Sequence, residues 1–91
     1  MKHTHWIVLA ERYIDYEGGQ DIVEVCHSED EACKALQNRV DTDDRLFAEE
    51  NDYKIYEDTP LCFDAGEDGF YDENHTAVSV IKIESDKEDE T

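Results

Sequence analysis

Histidines, cysteines and carboxylates are the side chains through which this chain could do chemistry, and their spacing limits what that chemistry can be. His3-Thr4-His5 puts two imidazoles on one side of an extended segment, which is half of a zinc or nickel site. No third ligand follows at a recognisable spacing, and Cys26-His27 does not supply it. Counted from Asp64, the calcium-loop pattern finds Asp at its first and fifth positions and Gly69 at its sixth. Gly66 then stands at the third position and His75 at the twelfth, where a bidentate Glu is needed. The expectation is therefore no dedicated metal site and no cofactor.

Catalytic signatures are missing as well. GxSxG, HExxH, a phosphate-cradling glycine loop and a dinucleotide fingerprint are all absent. Cys26 beside His27 does not make a nucleophile and its base, because neighbours on a strand point to opposite faces. A pocket of useful volume is hard to build from 91 residues of which 26 are acidic. The chain reads as something other than an enzyme.

What remains is charge. The formal net charge is −18, from 26 acidic and 8 basic residues, against a hydrophobic fraction of 38%. Such a chain repels itself, and it repels DNA, RNA and anionic membranes equally. Folding must then rest on its apolar runs, which include one tryptophan, five tyrosines and three phenylalanines. The N-terminal run Trp6 to Ala10 is too short for a signal peptide, and no segment reaches the roughly 20 apolar residues of a membrane span. Cys26, Cys33 and Cys62 are odd in number and lack CxxC spacing, as expected of free, buried thiols in a reducing cytoplasm. Asn74-His75-Thr76 matches a glycosylation sequon, and without a secretory signal it is read as chance.

The elements that position these groups can be read from local pattern. Residues 5–16 predict a first strand, and the continuous apolar run Trp6-Ile7-Val8-Leu9-Ala10 is the mark of a strand covered on both faces. Gly18-Gly19 predicts the turn, and Ile22 to Cys26 a second strand. Ser28 with Glu31 forms a capping box, and Ala32, Cys33, Leu36 and Val40 make one apolar stripe of an amphipathic helix. Asp41-Thr42-Asp43-Asp44 either ends that helix or caps a short second one carrying Leu46 and Phe47. Tyr53 to Tyr56 predicts a third strand, and Leu61-Cys62-Phe63 a short edge segment or a buried loop. Residues 64–75 are turn-rich. Thr76 to Ile83 predicts the last strand, with Val78 and Val80 on one face and Ala77, Ser79, Ile81 and Ile83 on the other. The order is β-β-α-β-β. The expected architecture is a single α+β domain over residues 1–84, a small antiparallel sheet with one main helix on one face, followed by a disordered acidic tail at 85–91.

Acidic residues concentrate in two places. Asp41, Asp43, Asp44, Glu49, Glu50, Asp52, Glu57 and Asp58 crowd one segment, and Asp64, Glu67, Asp68, Asp72 and Glu73 follow among Phe63, Phe70 and Tyr71. These thirteen carboxylates are the candidate partner-binding surface, suited to Arg-rich clefts by charge-assisted pairing and by stacking on rings. A compact chain of this length has a radius of gyration near 12 Å, hence a diameter of about 30 Å. A duplex of that length carries about 18 phosphate charges, similar to the charge of the domain. Salt adaptation is a competing account of the acidity, disfavoured by five Lys to three Arg and by six Ile.

In size, acidity and lack of catalytic signature, the chain resembles the small phage and mobile-element proteins that inhibit host defence nucleases. Those are anti-restriction and anti-CRISPR inhibitors, some of them DNA mimics. The resemblance implies a cytoplasmic inhibitor that occupies the basic nucleic-acid-binding surface of a protein such as a defence nuclease complex. It implies no direct nucleic acid and no membrane as partner. The alternative is an acidic adaptor or accessory domain that docks through its sheet face or an edge strand.

Overall fold

The computed structural model describes residues 3–85. Apolar and β-branched residues at the start of the chain form an antiparallel hairpin of β1 (His3–Ile14) and β2 (Glu17–Cys26). The hairpin turns at Asp15 and Tyr16, with φ of 52° and 68°, and Gly18-Gly19 lie inside β2. That corrects the expected turn, and the cause is tertiary. The Asp15 amide donates to the Asn74 side chain at 3.0 Å, the Tyr16 amide to the Glu73 carbonyl at 3.1 Å, and the Tyr16 hydroxyl to the Glu73 carboxylate at 2.7 Å. Three bonds hold two non-glycine residues in the left-handed region that such a turn needs. Gly18 meets a different need, since a Cβ there would run into the Arg12 carbonyl.

Ser28 opens the helix as its spacing predicts, its hydroxyl accepting from the Glu31 amide at 3.2 Å. The Glu31 carboxylate reaches back to the His27 amide at 3.4 Å, one residue beyond the partner expected of a capping box. Then α1 (Glu29–Arg39) continues through a π-helical segment (Val40–Asp44) into α2 (Arg45–Glu50), a helix of 22 residues in all. Asp41-Thr42-Asp43-Asp44 thus neither ends the helix nor starts another. Its buried positions are Ala32, Leu36, Val40, Asp44 and Ala48, a constant spacing of four. A helix of 3.6 residues per turn rotates such a stripe by about 40° per step. The wider π turn, where the Arg45 amide bonds the Val40 carbonyl, takes up part of that drift and keeps Asp44 and Ala48 pointing inward. Asp52, at φ 56°, closes the helix in a Schellman arrangement, with the Tyr53 amide on the Ala48 carbonyl at 2.8 Å.

Three more strands, β3 (Lys54–Thr59), β4 (Cys62–Gly66) and β5 (His75–Ser85), complete one antiparallel sheet in the order β2-β1-β5-β4-β3. The fold is α+β, one antiparallel sheet of five strands and one main helix, and it follows the expected β-β-α-β-β order with one strand added after the helix. Leu61-Cys62-Phe63 leads into the additional strand β4, which lies inside the sheet with Phe63 fully buried. Val8, Ala10, Cys26, Phe63, Ala65 and Val78 from the strands share one buried cluster with Ala32, Leu36, Val40 and Ala48 from the helix. The acidic tail expected at 85–91 lies outside the described residues from 86 onward, and Ser85 is the last residue of β5.

Candidate functional site

The acidic segment 41–58 is organised by arginines. Asp44 is fully buried, and its carboxylate receives Arg39 Nε at 2.8 Å, Arg12 Nη2 at 3.5 Å and the Thr76 hydroxyl at 2.5 Å. Thr76, itself buried on β5, accepts from Arg12 Nε at 3.1 Å, so β1, the π segment and β5 meet at one polar knot. Asp43 completes it, pairing with Arg12 at 3.0 Å and Arg39 at 3.3 Å. The Arg12 guanidinium also lies 4.0 Å above the Phe47 ring. A third arginine, Arg45, takes Asp58 in a fork at 3.0 and 3.2 Å and reaches Asp41 at 3.4 Å. These bonds hold the Asp58 carboxyl below its ordinary range and push the Arg45 guanidinium further up.

The candidate carboxylates therefore fall into two groups. Asp44 is sealed from any partner, Asp43 is neutralised by two arginines, and Asp41 and Asp58 share Arg45. Asp64 accepts from the Tyr71 hydroxyl at 2.6 Å, the Glu67 carboxylate from the Asn74 side-chain Nδ2 at 3.4 Å, and Glu73 from the Tyr16 hydroxyl. What is left on the surface, without an ion pair among the described residues, is Glu49, Glu50, Asp52, Glu57, Asp68 and Asp72. Of the aromatic side chains among these acids, Phe63 is core, Tyr71 is half-buried and Phe70 is exposed. Arg12, Arg39 and Thr76 are the residues that sequence reasoning missed: Arg39 stands at the helical i,i+4 spacing from Asp43, a signal that was there to use, whereas nothing local marks Arg12 and Thr76 as partners of a distant acidic run.

Under the segment between β4 and β5 lies a second polar cluster. The buried His75 ring faces the Tyr71 carbonyl at 2.8 Å through Nδ1 and the Glu11 carboxylate at 2.7 Å through Nε2. Tyr71 stacks on it with ring centroids 4.4 Å apart. Bonds from Gln20 and then His75 lower the Glu11 carboxyl, while burial and the Asp64 bond raise the Tyr71 phenol. Both ring nitrogens of His75 are engaged by internal partners. Asp64 and His75, the ends of the calcium-loop pattern, are thus spent on internal bonds within strands. His3-Thr4-His5 belongs to β1, and the His5 ring lies 5.6 Å from that of His27. Among the described residues no group of three or more His, Cys, Asp or Glu is placed to hold a metal ion.

Cys26 is buried and Cys33 and Cys62 are half-buried, all three free. Burial, aided by Glu24, pushes the Cys26 thiol up to about 11. No helix among the described residues is long and apolar enough to cross a membrane.

The molecule measures 49 × 24 × 16 Å along its principal axes, with a radius of gyration of 14.9 Å, longer than the sphere its length suggests. A duplex 49 Å long carries about 29 phosphate charges. A net charge of −18 is thinner than that along the whole axis, so any likeness to a duplex is confined to part of the surface.

Comparison with known protein families, curated proteins and solved structures finds no match to this chain.

Proposed function

We propose that the protein is a non-catalytic acidic inhibitor that occupies the basic nucleic-acid-binding surface of a partner protein, such as a host defence nuclease complex. The observation that carries this is the disposition of charge. Its three arginines are drawn into pairs with Asp41, Asp43, Asp44 and Asp58, leaving Glu49, Glu50, Asp52, Glu57, Asp68 and Asp72 without an ion pair among the described residues. Lys54 is the one base within that stretch. The helix lies on one face of the sheet in this reading, as its share in the buried cluster supports, and its outer side carries Glu49 and Glu50. Such a field speeds encounter with a basic cleft and rejects nucleic acid itself. Three free thiols favour action in the cytoplasm.

The test is a pull-down from a host lysate with and without competing duplex DNA, run at two salt concentrations. The expected catch is a nucleic-acid-binding protein, released by excess duplex and weakened by salt. Glu49→Lys, Glu50→Lys and Asp68→Lys together should abolish the catch while the thermal transition stays in place. Capture that survives this variant, or that ignores the duplex, would overturn the reading. Asp43 and Asp44 have no place in such a variant, because reversing them would break the knot that holds the helix.

A further inference from the structure

The face of the sheet opposite Val8, Ala10 and Val78 carries an aliphatic patch. Cross-strand pairing puts Val25, Ile7 and Ile81 in one row, Ile22 and Leu9 in the next, and Ile83 beside His5 at the end. All point away from the buried cluster, because residues alternate along a strand. Ile22 is 61% exposed, Val25 52%, Ile81 40% and Ile83 42%. An antiparallel sheet with one wet face normally turns polar residues to water. Here four of the most β-prone side chains face it instead, and the continuous run Trp6 to Ala10 is what a strand covered on both faces would carry. The same face is closed at its other end, where Tyr71 folds over Asp64 and His75. Over the aliphatic half, none of the described residues does the covering.

Charge decides what can. Glu11, Asp64 and Glu57 lie on the same face by register and border the patch on one side. Glu11 is fixed there by Gln20 at 2.8 Å and His75 at 2.7 Å. A second copy would bring another −18 and the same acidic border against this one, and an anionic lipid surface is repelled likewise. Strand addition at the edge is discouraged, because Val23 forms a bulge in β2 between the pairs Val8–Glu24 and Leu9–Ile22. We infer that the face formed by Ile7, Leu9, Ile22, Val25, Ile81 and Ile83 docks a protein surface with an aliphatic centre and a border of Lys and Arg. An apolar centre inside a polar border is how protein interfaces are built. The inference does not depend on the acidic surface of Glu49 and Glu50, which is a separate part of the molecule.

The probe is a pair of synthetic amphipathic helical peptides with one Leu face, flanked by Lys in one and by Glu in the other. Full-length protein labelled at its isoleucine methyls is titrated with each and followed by NMR. The Lys-flanked peptide should move the methyls of Ile7, Ile22, Ile81 and Ile83, and the Glu-flanked one should move none. Ile22→Thr with Val25→Thr keeps β-branching on an edge strand, so the thermal transition stays within a few degrees while affinity falls tenfold or more. If that pair fails to fold, Ile83→Thr alone serves, with a threefold loss expected. Glu49→Lys with Glu50→Lys should leave the pattern of shifted methyls unchanged, which separates this site from the acidic surface. Shifts confined to Ile14 and Ile55, which lie outside this face, or affinity unchanged in the threonine variants, would overturn the inference. So would a dimer by sedimentation at high salt that Ile22→Thr dissociates, because the occupant would then be a second copy.

Discussion

The Thr76 hydroxyl donates to the buried Asp44 carboxylate at 2.5 Å while accepting from Arg12 Nε at 3.1 Å, and so couples a strand at the centre of the sheet to the π turn of the helix. A carboxylate removed from water is tolerable only where its oxygens are satisfied, and here two arginines and a hydroxyl satisfy them. Removing the acid leaves both guanidiniums short of their counter-charge. Asp44→Ala should destabilise the fold by about 3 kcal/mol, the lower end for a broken buried pair, because both arginines keep some contact with water. Thr76→Val should lose about 1–3 kcal/mol, the penalty of an unmet polar group. Thermal unfolding followed by the single tryptophan, Trp6, measures both, at about 4–8 °C per kcal/mol for a domain of this size.

Two adjacent glycines should answer differently to the same substitution. A Cβ at Gly18 meets the Arg12 backbone carbonyl, which cannot move without disturbing the hairpin, whereas nothing lies within 4 Å of one at Gly19. Gly18→Ala is expected to destabilise by about 1–3 kcal/mol, as overpacking does. Gly19→Ala should be neutral or stabilise by up to about 1 kcal/mol, through loss of freedom in the unfolded chain. Equal transitions for the two variants would contradict the packing described at Gly18.

Arg45 and Asp58 offer a test by pH and salt. Their fork is exposed to solvent, so a double-mutant cycle should give a coupling of only about 0.5–1 kcal/mol, fading as salt is raised. Arg45 lowers the Asp58 carboxyl on folding. Stability from a depressed carboxylate is present above its unfolded value and is lost as pH falls through its folded one. The gap between wild type and Asp58→Asn should therefore stay constant from neutral pH down to the ordinary carboxylate range and close below it. A gap that widens on acidification would rule out the pair as its source.

What could be read from the sequence was what depends on near neighbours. The Ser28 cap, the stripe Ala32, Leu36 and Val40, and the alternating faces of β5 rest on spacings of two to four, and the structure keeps them. Asp44 was beyond reach for the opposite reason. Its hydroxyl partner stands 32 residues away, and Arg12 stands 31 residues from Asp43, so a run of aspartates looks like surface until the sheet brings its counter-charges. The turn at Asp15-Tyr16 was hidden likewise, since Gly18-Gly19 is the stronger local signal and the bonds that overrule it come from Glu73 and Asn74. The open aliphatic face was present in the run Trp6 to Ala10, which asks for cover on both sides. Only the fold shows which side lacks it.

The thiols provide a last, independent check on the core. Only the thiolate attacks an alkylating reagent, so a thiol raised to about 11 is ionised in about one molecule in a thousand at pH 8. Cys26 owes that shift first to burial and then to Glu24, whose carboxylate accepts from Sγ at 3.3 Å. Cys33 and Cys62 are raised too, chiefly by burial, but both keep some access to solvent. Under native conditions iodoacetamide should therefore modify Cys33 and Cys62 slowly and Cys26 slowest, and denaturant should bring all three to one rate. Mass spectrometry of timed samples reads the order directly. Glu24→Gln removes the lesser cause and leaves burial, so it should speed Cys26 only a few-fold, whereas Leu36→Ala, which opens the buried cluster both residues belong to, should speed it far more. Labelling of native Cys26 as fast as that of an unfolded thiol would show that the cluster joining the helix to the sheet opens readily in solution.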